Sequence, residues 1–248
     1  MQQRDAMYSP QGPGIHYTVM EIANFLHDRY RRHNQRRQEH LATLGLPLAG
    51  RTVLEVGAGI GDHTSFFLDR GCRVTVTDAR EDLLGHVRAR YPEVEAFALD
   101  LDAEESTTGL PRHDIVYAYG ILYHLARPDR AIERLAVLTG SLLLVETCVS
   151  PGIGVDVGLL DENASDPTQA MHGTGCRPTR PWVMENLKRH FPHVYNTRTQ
   201  PWHEEFPLDW NAPATSTTGL YRSVFVASRS ALASDRLLEG LVDKHTRE

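Results

Sequence analysis

Cysteine is scarce in this chain of 248 residues, which carries three, Cys72, Cys148 and Cys176. They are far apart in the sequence, odd in number and without C-x-x-C spacing. This pattern argues against a disulfide framework and against a structural zinc site. We therefore expect reduced thiols and a cytoplasmic protein.

Long apolar runs are also missing. Without a stretch of about 18 uninterrupted apolar residues, the sequence predicts no membrane span. The polar first residues, MQQRDAMYSPQGPG, lack the apolar core of a signal peptide. Positive charge is in deficit, since the formal net charge is −6, and this disfavours broad binding to nucleic acids. An apolar content of 41 % and a charged content of 23 % are ordinary for one soluble α/β core.

Glycine, in contrast, is concentrated in one short stretch, VLEVGAGIGDH at residues 53–63. The apolar run at its start predicts a buried strand, and Gly57, Gly59 and Gly61 permit a tight turn. Residues at helical spacing follow. A strand, a glycine turn and a helix N-terminus together predict a site for a ligand with negative or polar groups.

The residues around the glycines narrow the choice of ligand. An ATP-type P-loop requires Lys and Ser or Thr after its last glycine, but Asp62 and His63 follow Gly61. A nicotinamide fingerprint has its third glycine where Asp62 stands, and it usually has an apolar residue where Glu55 stands. The stretch E-x-G-x-G-x-G resembles the first motif of class I S-adenosylmethionine-dependent methyltransferases. That resemblance implies S-adenosylmethionine, whose ammonium and sulfonium suit an acid at the strand end.

The rest of the chain alternates strand and helix patterns. The strands TVLEV, RVTVTD, EAFALD, DIVYAY and SLLLVET are separated by helical segments, and HVYNTRT and LYRSVFVAS follow as an antiparallel pair. We predict an α/β, Rossmann-like, doubly wound and mostly parallel seven-stranded sheet with an antiparallel last strand and an N-terminal helical cap.

The sequence also suggests boundaries within the chain. Residues 1–49 predict an arm and a helix from Tyr17 to Leu44 on the substrate side, and 50–228 predict the methyltransferase domain. Residues 151–177 and 200–218 are expected to be loop insertions. Residues 229–248 are expected to form a helix or tail.

Two acids close predicted strands. Asp78 ends the second strand about 20 residues beyond the glycines, where a carboxylate accepts both ribose hydroxyls; an N-cap for the next helix is the alternative. The resemblance implies that Asp100 takes the adenine amino group and that the amide of Leu101 meets the ring, with Asp102 as the rival acid. The implied cofactor-binding set is Glu55, Gly57, Ala58, Gly59, Gly61, Asp78, Ala79, Asp100, Leu101, Tyr119 and Gly120.

The fourth strand and its sequel, HDIVYAYGILYHLARPDRAIERL, resemble the methyltransferases that complete the carboxymethoxy group on the wobble uridine of tRNA, and many small-molecule relatives. The resemblance implies that Tyr119 and Gly120 border the methionine part and that Tyr123 and His124 face the methyl acceptor. His124 is the candidate base because its ordinary pKa lies near working pH. Helix packing and capping are the alternative roles.

The acceptor site must come from segments that the core fold does not fix, with Tyr17, His172, Trp202 and His203 as candidate substrate residues. Aromatic side chains in long loops predict a pocket for a flat or apolar small molecule, as in an enzyme of secondary metabolism. A nicotinamide-dependent oxidoreductase and a non-catalytic cofactor-binding regulator are the alternatives outside this class.

A basic run at 29–37, RYRRHNQRR, favours a different acceptor. Arg29, Arg32 and Arg36 share one predicted helix face, which suits RNA phosphates, the phosphate of a small substrate or plain solvation. We expect a small-molecule acceptor in preference to RNA. No metal is expected, because His172, His203, Glu204 and Glu205 have no recognised ligand spacing.

Overall fold

The computed structural model describes residues 22–104 and 107–247, which form ten strands and six α-helices. The strands are β1 (Thr52–Val56), β2 (Arg73–Asp78), β3 (Glu95–Ala98), β4 (His113–Tyr119), β5 (Thr139–Val149), β6 (Val157–Asp161), β7 (Thr174–Pro178), β8 (His193–Thr197), β9 (Tyr221–Ser228) and β10 (Leu237–Glu239). The helices are α1 (Ala23–Leu26), α2 (Asp28–Thr43), α3 (Thr64–Leu68), α4 (Glu81–Arg90), α5 (Pro128–Leu138) and α6 (Arg180–Lys188), with a 3₁₀ turn at Leu122–His124.

Eight of these strands form one sheet, in the order β10-β8-β9-β5-β4-β1-β2-β3. Strands β1 to β5 are parallel, whereas β9 runs antiparallel between β5 and β8. The predicted α/β fold and its late antiparallel pair are confirmed. The sheet has eight strands and not seven, because β10 adds an antiparallel edge to β8.

Helices cover both faces of the sheet, as the side chains of β4 show. Ile115 and Tyr117 pack in one apolar cluster with residues of α2, α3 and α4. Val116 and Ala118, which alternate with them, pack in a second cluster with residues of α5 and α6. A strand buried on both faces reads as a continuous apolar run, and this is why DIVYAY was recognisable in the sequence.

The predicted N-terminal helix is divided in two. Helix α1 ends at Leu26, and His27 has an extended ψ of 136° before α2 begins. The His27 Nδ1 atom accepts a hydrogen bond from the backbone N–H of Arg29, so it caps α2. The predicted arm at 1–16 and Tyr17 lie outside the described residues.

Two further segments differ from expectation. The predicted loop at 151–177 contains the antiparallel pair β6–β7, which forms a separate two-stranded ribbon. For 229–248, where a helix or tail was expected, the described residues contain no helix, and Leu237–Glu239 instead pair with β8 and extend the sheet. Gly240 follows with a φ of 136°, which is outside the helical range.

The three cysteines are buried and free. Within the part of the chain that the structure describes, no helix combines the length and apolar character that a bilayer crossing requires.

Candidate active site

A cavity of about 560 Å³ lies where the carboxyl ends of β1, β2, β3 and β4 meet. Its size is within the range of small-molecule sites. Parallel strands bring their carboxyl ends to the same edge of the sheet, so residues distant in sequence share this cavity. The lining residues predicted from the sequence are Gly57, Gly59, Asp78, Ala79, Asp100, Tyr119, Gly120, Tyr123, His124 and His172.

The glycine turn forms the floor of the cavity beside β1. Gly57, Gly59 and Gly61 have φ values of 71°, 57° and 79°, which L side chains rarely adopt. A Cβ on Gly57 would lie 2.8 Å from Ile121, and one on Gly59 would lie 2.7 Å from Phe25 of α1. Glycine is therefore required at both positions by backbone conformation and by close packing.

Glu55, Ala58, Gly61 and Leu101, also predicted to bind the cofactor, are not among the residues that line this cavity. Glu55 and Ala58 line a smaller neighbouring cavity of about 20 Å³. The Glu55 carboxylate accepts a hydrogen bond from Thr64 Oγ1 at 2.7 Å, and burial raises its pKa to about 7. Leu101 is buried in the apolar core.

Asp78 joins the glycine turn to the start of α4. Its Oδ2 accepts a hydrogen bond from the backbone N–H of Gly59 at 2.8 Å, and its Oδ1 accepts one from that of Arg80 at 2.9 Å. The N-cap of α4 is Arg80, so Asp78 is not itself the cap residue. Burial raises the pKa of Asp78 to about 6, although both hydrogen bonds act in the opposite direction.

The two rival acids after β3 have different partners. The Asp102 carboxylate accepts hydrogen bonds from the backbone N–H groups of Ala126 and Arg127, at 2.9 and 3.1 Å. It therefore holds the segment that leads into α5. Asp100 has one carboxylate oxygen 2.7 Å from His172 Nε2 at the cavity wall. Its other oxygen, Oδ1, accepts a hydrogen bond from the backbone N–H of Asp102 at 2.8 Å, and both acids line the cavity.

Tyr119 and Gly120 end β4 at the cavity. The ring of Tyr119 stacks on Tyr117 with a centroid distance of 4.4 Å, and its buried hydroxyl has no hydrogen-bond partner. Gly120 has a φ of 82°, and a Cβ there would lie 3.0 Å from Arg37. The chain therefore turns sharply out of the sheet, which brings the next residues over the cavity.

His124 is paired with Glu162, a residue that the sequence analysis did not identify. His124 Nδ1 lies 2.5 Å from Glu162 Oε2, and both side chains are largely buried. Burial lowers the pKa of His124, although the hydrogen bond to Glu162 acts in the opposite direction. Burial raises the pKa of Glu162, but the hydrogen bonds from His124 and from the backbone N–H of Ala170, together with the charge of Arg177, outweigh this effect and leave it below its usual range.

Two guanidinium groups flank the neighbouring Tyr123. Those of Arg222 and Arg177 lie 4.9 and 5.2 Å from the Tyr123 ring centroid, and Arg222 donates a hydrogen bond to the Tyr123 hydroxyl. Burial raises the pKa of that hydroxyl far above neutrality, so it stays protonated. Tyr123 therefore acts as a positioned wall residue with cation–π contacts.

Of the remaining candidate substrate residues, the structure places some at the cavity and others away from it. His172 lines the cavity, whereas Trp202 is 53 % exposed and lies outside its lining. His203 is buried and contacts His33 of α2, with a ring-centroid distance of 4.7 Å. Tyr17 lies outside the described residues.

His33, His203 and Glu205 offer ligand atoms within 4.8 Å of one another. The Glu205 carboxylate, however, already accepts hydrogen bonds from Arg222 at 2.7 Å and from Arg29 at 3.1 Å. His203 Nδ1 accepts one from the backbone N–H of Glu205, which leaves the ring proton on Nε2. Both features oppose a divalent cation, so we assign no metal here.

Four arginines of the basic run are paired with carboxylates of the chain itself. The pairs are Arg29–Glu205 (3.1 Å), Arg32–Glu204 (3.8 Å), Arg36–Glu39 (2.6 Å) and Arg37–Glu146 (2.8 Å). The first three are partly exposed, and such pairs contribute little to stability. Their charges are nonetheless partly neutralised, so the helix face is less basic than its sequence suggests.

The chain is similar to known methyltransferases in sequence and fold. A family model for a methyltransferase domain matches residues 54–140. tRNA U34 carboxymethyltransferases of Hahella chejuensis and Vibrio vulnificus are 33 % and 27 % identical, over 43 % and 74 % of this chain. The matched part covers 35 % and 63 % of those relatives, so the chain spans less than two thirds of their length.

Two solved structures share the fold. One is the N-terminal domain of EvdMO1, determined with SAH and D-fucose, with a TM-score of 0.60, 17 % identity, and coverage of 82 % of this chain and 84 % of that one. The other is the magnesium protoporphyrin IX methyltransferase of Synechocystis PCC 6803 with bound SAM, with a TM-score of 0.55, 17 % identity, and coverage of 88 % and 87 %. The family model therefore identifies a methyltransferase domain at residues 54–140, and the two solved structures show that the chain shares the fold of S-adenosylmethionine-dependent methyltransferases.

Proposed function

We propose that this enzyme transfers a methyl group from S-adenosylmethionine to a small-molecule acceptor. The observation that carries the proposal is the single cavity, which joins the ends of β1 to β4 to Tyr123, His124 and the ribbon β6–β7. Cofactor and acceptor sites in one cavity allow the reacting groups to be held in line, which supplies much of the rate of a displacement.

The residues at the strand ends fit this cofactor. Asp78 offers a buried carboxylate to the ribose hydroxyls, and the carboxylate of Asp100 lines the same cavity at the next strand end. The Tyr119 hydroxyl is buried without a partner and therefore suits a polar ligand group. When bound, S-adenosylmethionine supplies an electrophilic methyl group on a sulfonium. The chain's own residues orient that group, exclude water and take up the proton of the acceptor.

The cavity walls favour an acceptor of small size. The ribbon contributes Leu160, Glu162 and Arg177, and the segment before β9 contributes Thr218 and Leu220. Such walls enclose a ligand on several sides. Four arginines of the basic run are already paired with carboxylates. This surface therefore does not offer RNA phosphates a continuous track of unneutralised positive charge. A cytoplasmic location and a role in secondary metabolism are part of this proposal.

Transfer to tRNA is the second candidate, because the sequence relatives are named tRNA U34 carboxymethyltransferases. The exposed ion pairs of α2 are weak enough to exchange a carboxylate for a phosphate. In this alternative, binding would weaken steeply with salt, as counterions are released from the nucleic acid.

Radiolabelled S-adenosylmethionine decides between the two. We expect label to move from the methyl donor to the low-molecular-weight fraction of a cell extract, and not to total tRNA from the same cells. Label in the tRNA fraction that is removed by ribonuclease would establish the second candidate instead. Failure of the protein to bind the cofactor in a calorimetric titration would overturn both.

Substituting Asp78→Asn is expected to weaken cofactor affinity about 10- to 100-fold, because hydrogen bonds to a charged acceptor contribute about 1.5–3 kcal/mol each. The melting temperature without ligand should change little. The variant loses an acceptor for one backbone N–H, but it also loses the cost of ionising a carboxyl whose pKa burial raises to about 6. Calorimetry and thermal unfolding measure the two quantities.

The pH dependence of binding separates Asp78 from Glu55. Since the ionised Asp78 carboxylate is the better acceptor, wild-type affinity should fall as pH decreases through about 6. In Asp78→Asn, cofactor affinity should no longer fall near pH 6. Any change in affinity near pH 7, where Glu55 titrates, should remain. Unchanged affinity in the variant, or an unchanged step at pH 6, would show that Asp78 has only a structural role.

A further inference from the structure

Glu162 is held against His124 from two sides. Its Oε2 lies 2.5 Å from His124 Nδ1 and accepts a second hydrogen bond from the backbone N–H of Ala170 at 2.8 Å. Arg177 Nη1 lies 3.4 Å from the other carboxylate oxygen. A carboxylate with these partners has one orientation, so it presents a fixed acceptor to the imidazole.

The ribbon is shaped to allow this contact. Gly175 of β7 is buried, and a Cβ there would lie 2.6 Å from Glu162 Oε1 and 2.7 Å from the carbonyl oxygen of Tyr123. Cys176 packs beside it with its Sγ 3.3 Å from the carbonyl oxygen of Leu122. Strand β7 therefore approaches the 3₁₀ turn closely only because residue 175 has no side chain.

We propose that Glu162 holds His124 as the Nδ1–H tautomer, so that Nε2 is the base for a hydroxyl group on the methyl acceptor. The inference rests on the methyltransferase function proposed above and names the acceptor class of the same site. Glu162 is a positioning residue in this scheme, since it acts through His124. The hydrogen bond at one ring nitrogen decides which nitrogen is free to take a proton.

The charged groups that face His124 come from three segments of the chain. Glu162 directly follows β6, Arg177 belongs to β7, and Arg222 belongs to β9. Burial, Arg222 and Arg177 all disfavour an imidazolium, whereas Glu162 favours it. The net effect keeps His124 neutral at physiological pH, and a neutral imidazole is the form that accepts a proton.

The transfer then balances as a single displacement. The acceptor O–H bond breaks, and its proton moves to Nε2 of His124. An oxygen lone pair forms the bond to the methyl carbon, and the carbon–sulfur bond breaks with its electron pair remaining on sulfur. The positive charge of the sulfonium is lost as the imidazolium forms, so the site keeps its net charge through the reaction.

The surroundings favour oxygen over other acceptor atoms. An aliphatic amine is an ammonium ion at neutral pH, and the Arg177 and Arg222 guanidinium groups beside Tyr123 disfavour a further cation there. An electron-rich carbon needs no base for its attack, so the His124–Glu162 pair would have no role in that transfer. A hydroxyl is neutral before transfer and requires a base.

Nitrogen NMR of the ring tests the tautomer without any turnover. With ¹⁵N-labelled histidine, we expect His124 to be the Nδ1–H form, with a titration midpoint below its ordinary value of about 6.5. In Glu162→Gln the midpoint should fall further, since the charge that favours the imidazolium is lost. Gly175→Ala should alter the His124 signals in the same direction by displacing the carboxylate. The exposed His193–Glu239 pair serves as an internal control that neither variant changes.

A ¹³C-methyl cofactor tests the acceptor class in the same cell extract. We expect the labelled product to show a methoxy carbon signal, whereas an N-methyl or C-methyl signal would overturn the inference while leaving methyl transfer intact. The Nε2–H tautomer, or a midpoint that is the same in wild type and Glu162→Gln, would also overturn it. Absence of cofactor binding would instead refute the proposed function itself.

Discussion

Substituting His124→Asn is expected to lower turnover about 10²- to 10⁴-fold, the usual contribution of a general base. The asparagine amide can still donate to Glu162, so the carboxylate keeps a partner while the base is removed. Affinity for S-adenosylmethionine should stay nearly unchanged, because Asp78, Asp100 and the glycine turn lie at other strand ends. Steady-state kinetics with the identified acceptor, together with calorimetry, measure both quantities.

The lowered pKa of His124 also predicts how turnover depends on pH. Burial lowers the pKa of His124 below its ordinary value, and the neutral form is the base. Wild-type turnover should therefore rise with pH to a plateau that is reached by neutrality. The variant should lack this acidic limb, and its deficit should shrink at high pH, where a hydroxyl acceptor ionises without help.

His193→Asn is a matched control, because His193 Nδ1 also pairs with a glutamate, Glu239, at 3.1 Å but lies on β8 away from the cavity. It should leave both turnover and pH profile unchanged. A His124→Asn enzyme with wild-type rate and wild-type pH profile would show that His124 only packs the 3₁₀ turn.

The parts of the site that the sequence reveals are those fixed by local pattern. Asp78 ends one recognisable strand and Asp100 follows the next, and parallel strands bring their ends together whatever the loops do. The glycine turn is evident because the backbone at Gly57 and Gly59 requires positive φ. For these residues, position along the chain predicts position in space.

Glu162 could not be predicted in this way. It lies 38 residues from His124 in sequence, next to a ribbon whose strand β6 is mostly exposed and shows no alternating apolar pattern. A short pairing of this kind is decided by tertiary contacts and not by local preference. The one local signal is Gly175, a glycine inside a strand, which often marks close approach of another segment.

The ends of the chain illustrate the same limit. Leu237–Glu239 form a strand because the edge of β8 offers unpaired backbone groups. No local pattern around residue 237 predicts this strand. The N-terminal helix breaks at His27 because that side chain caps α2 from outside. In both cases a contact or a cap outweighs apolar periodicity.

The fully buried carboxylate of Glu146 is the second point at which a single change has a large expected effect. Glu146 Oε2 accepts a hydrogen bond from Arg37 of α2 at 2.8 Å, and Oε1 accepts one from Arg222 of β9 at 3.0 Å. All three side chains are at most 6 % exposed. The carboxylate therefore joins the N-terminal helix to the sheet directly beneath the cavity.

Substituting Glu146→Gln is expected to lower the free energy of unfolding by about 3–5 kcal/mol, because removing one partner leaves buried guanidinium charge uncompensated. Arg222 keeps its bond to Glu205, so the larger loss falls on Arg37 and the attachment of α2. Urea denaturation measures the free energy, and amide hydrogen exchange should show lost protection in α2 before the sheet.

Glu133→Gln provides the comparison, since Glu133 pairs with Arg130 where both side chains are at least half exposed. Its cost should be about 0–1 kcal/mol, as for other surface pairs. If Glu146→Gln costs no more than this control, the buried network does not hold α2 in place. The cavity wall formed by Arg29, Tyr30 and His33 of that helix would then depend on apolar packing alone.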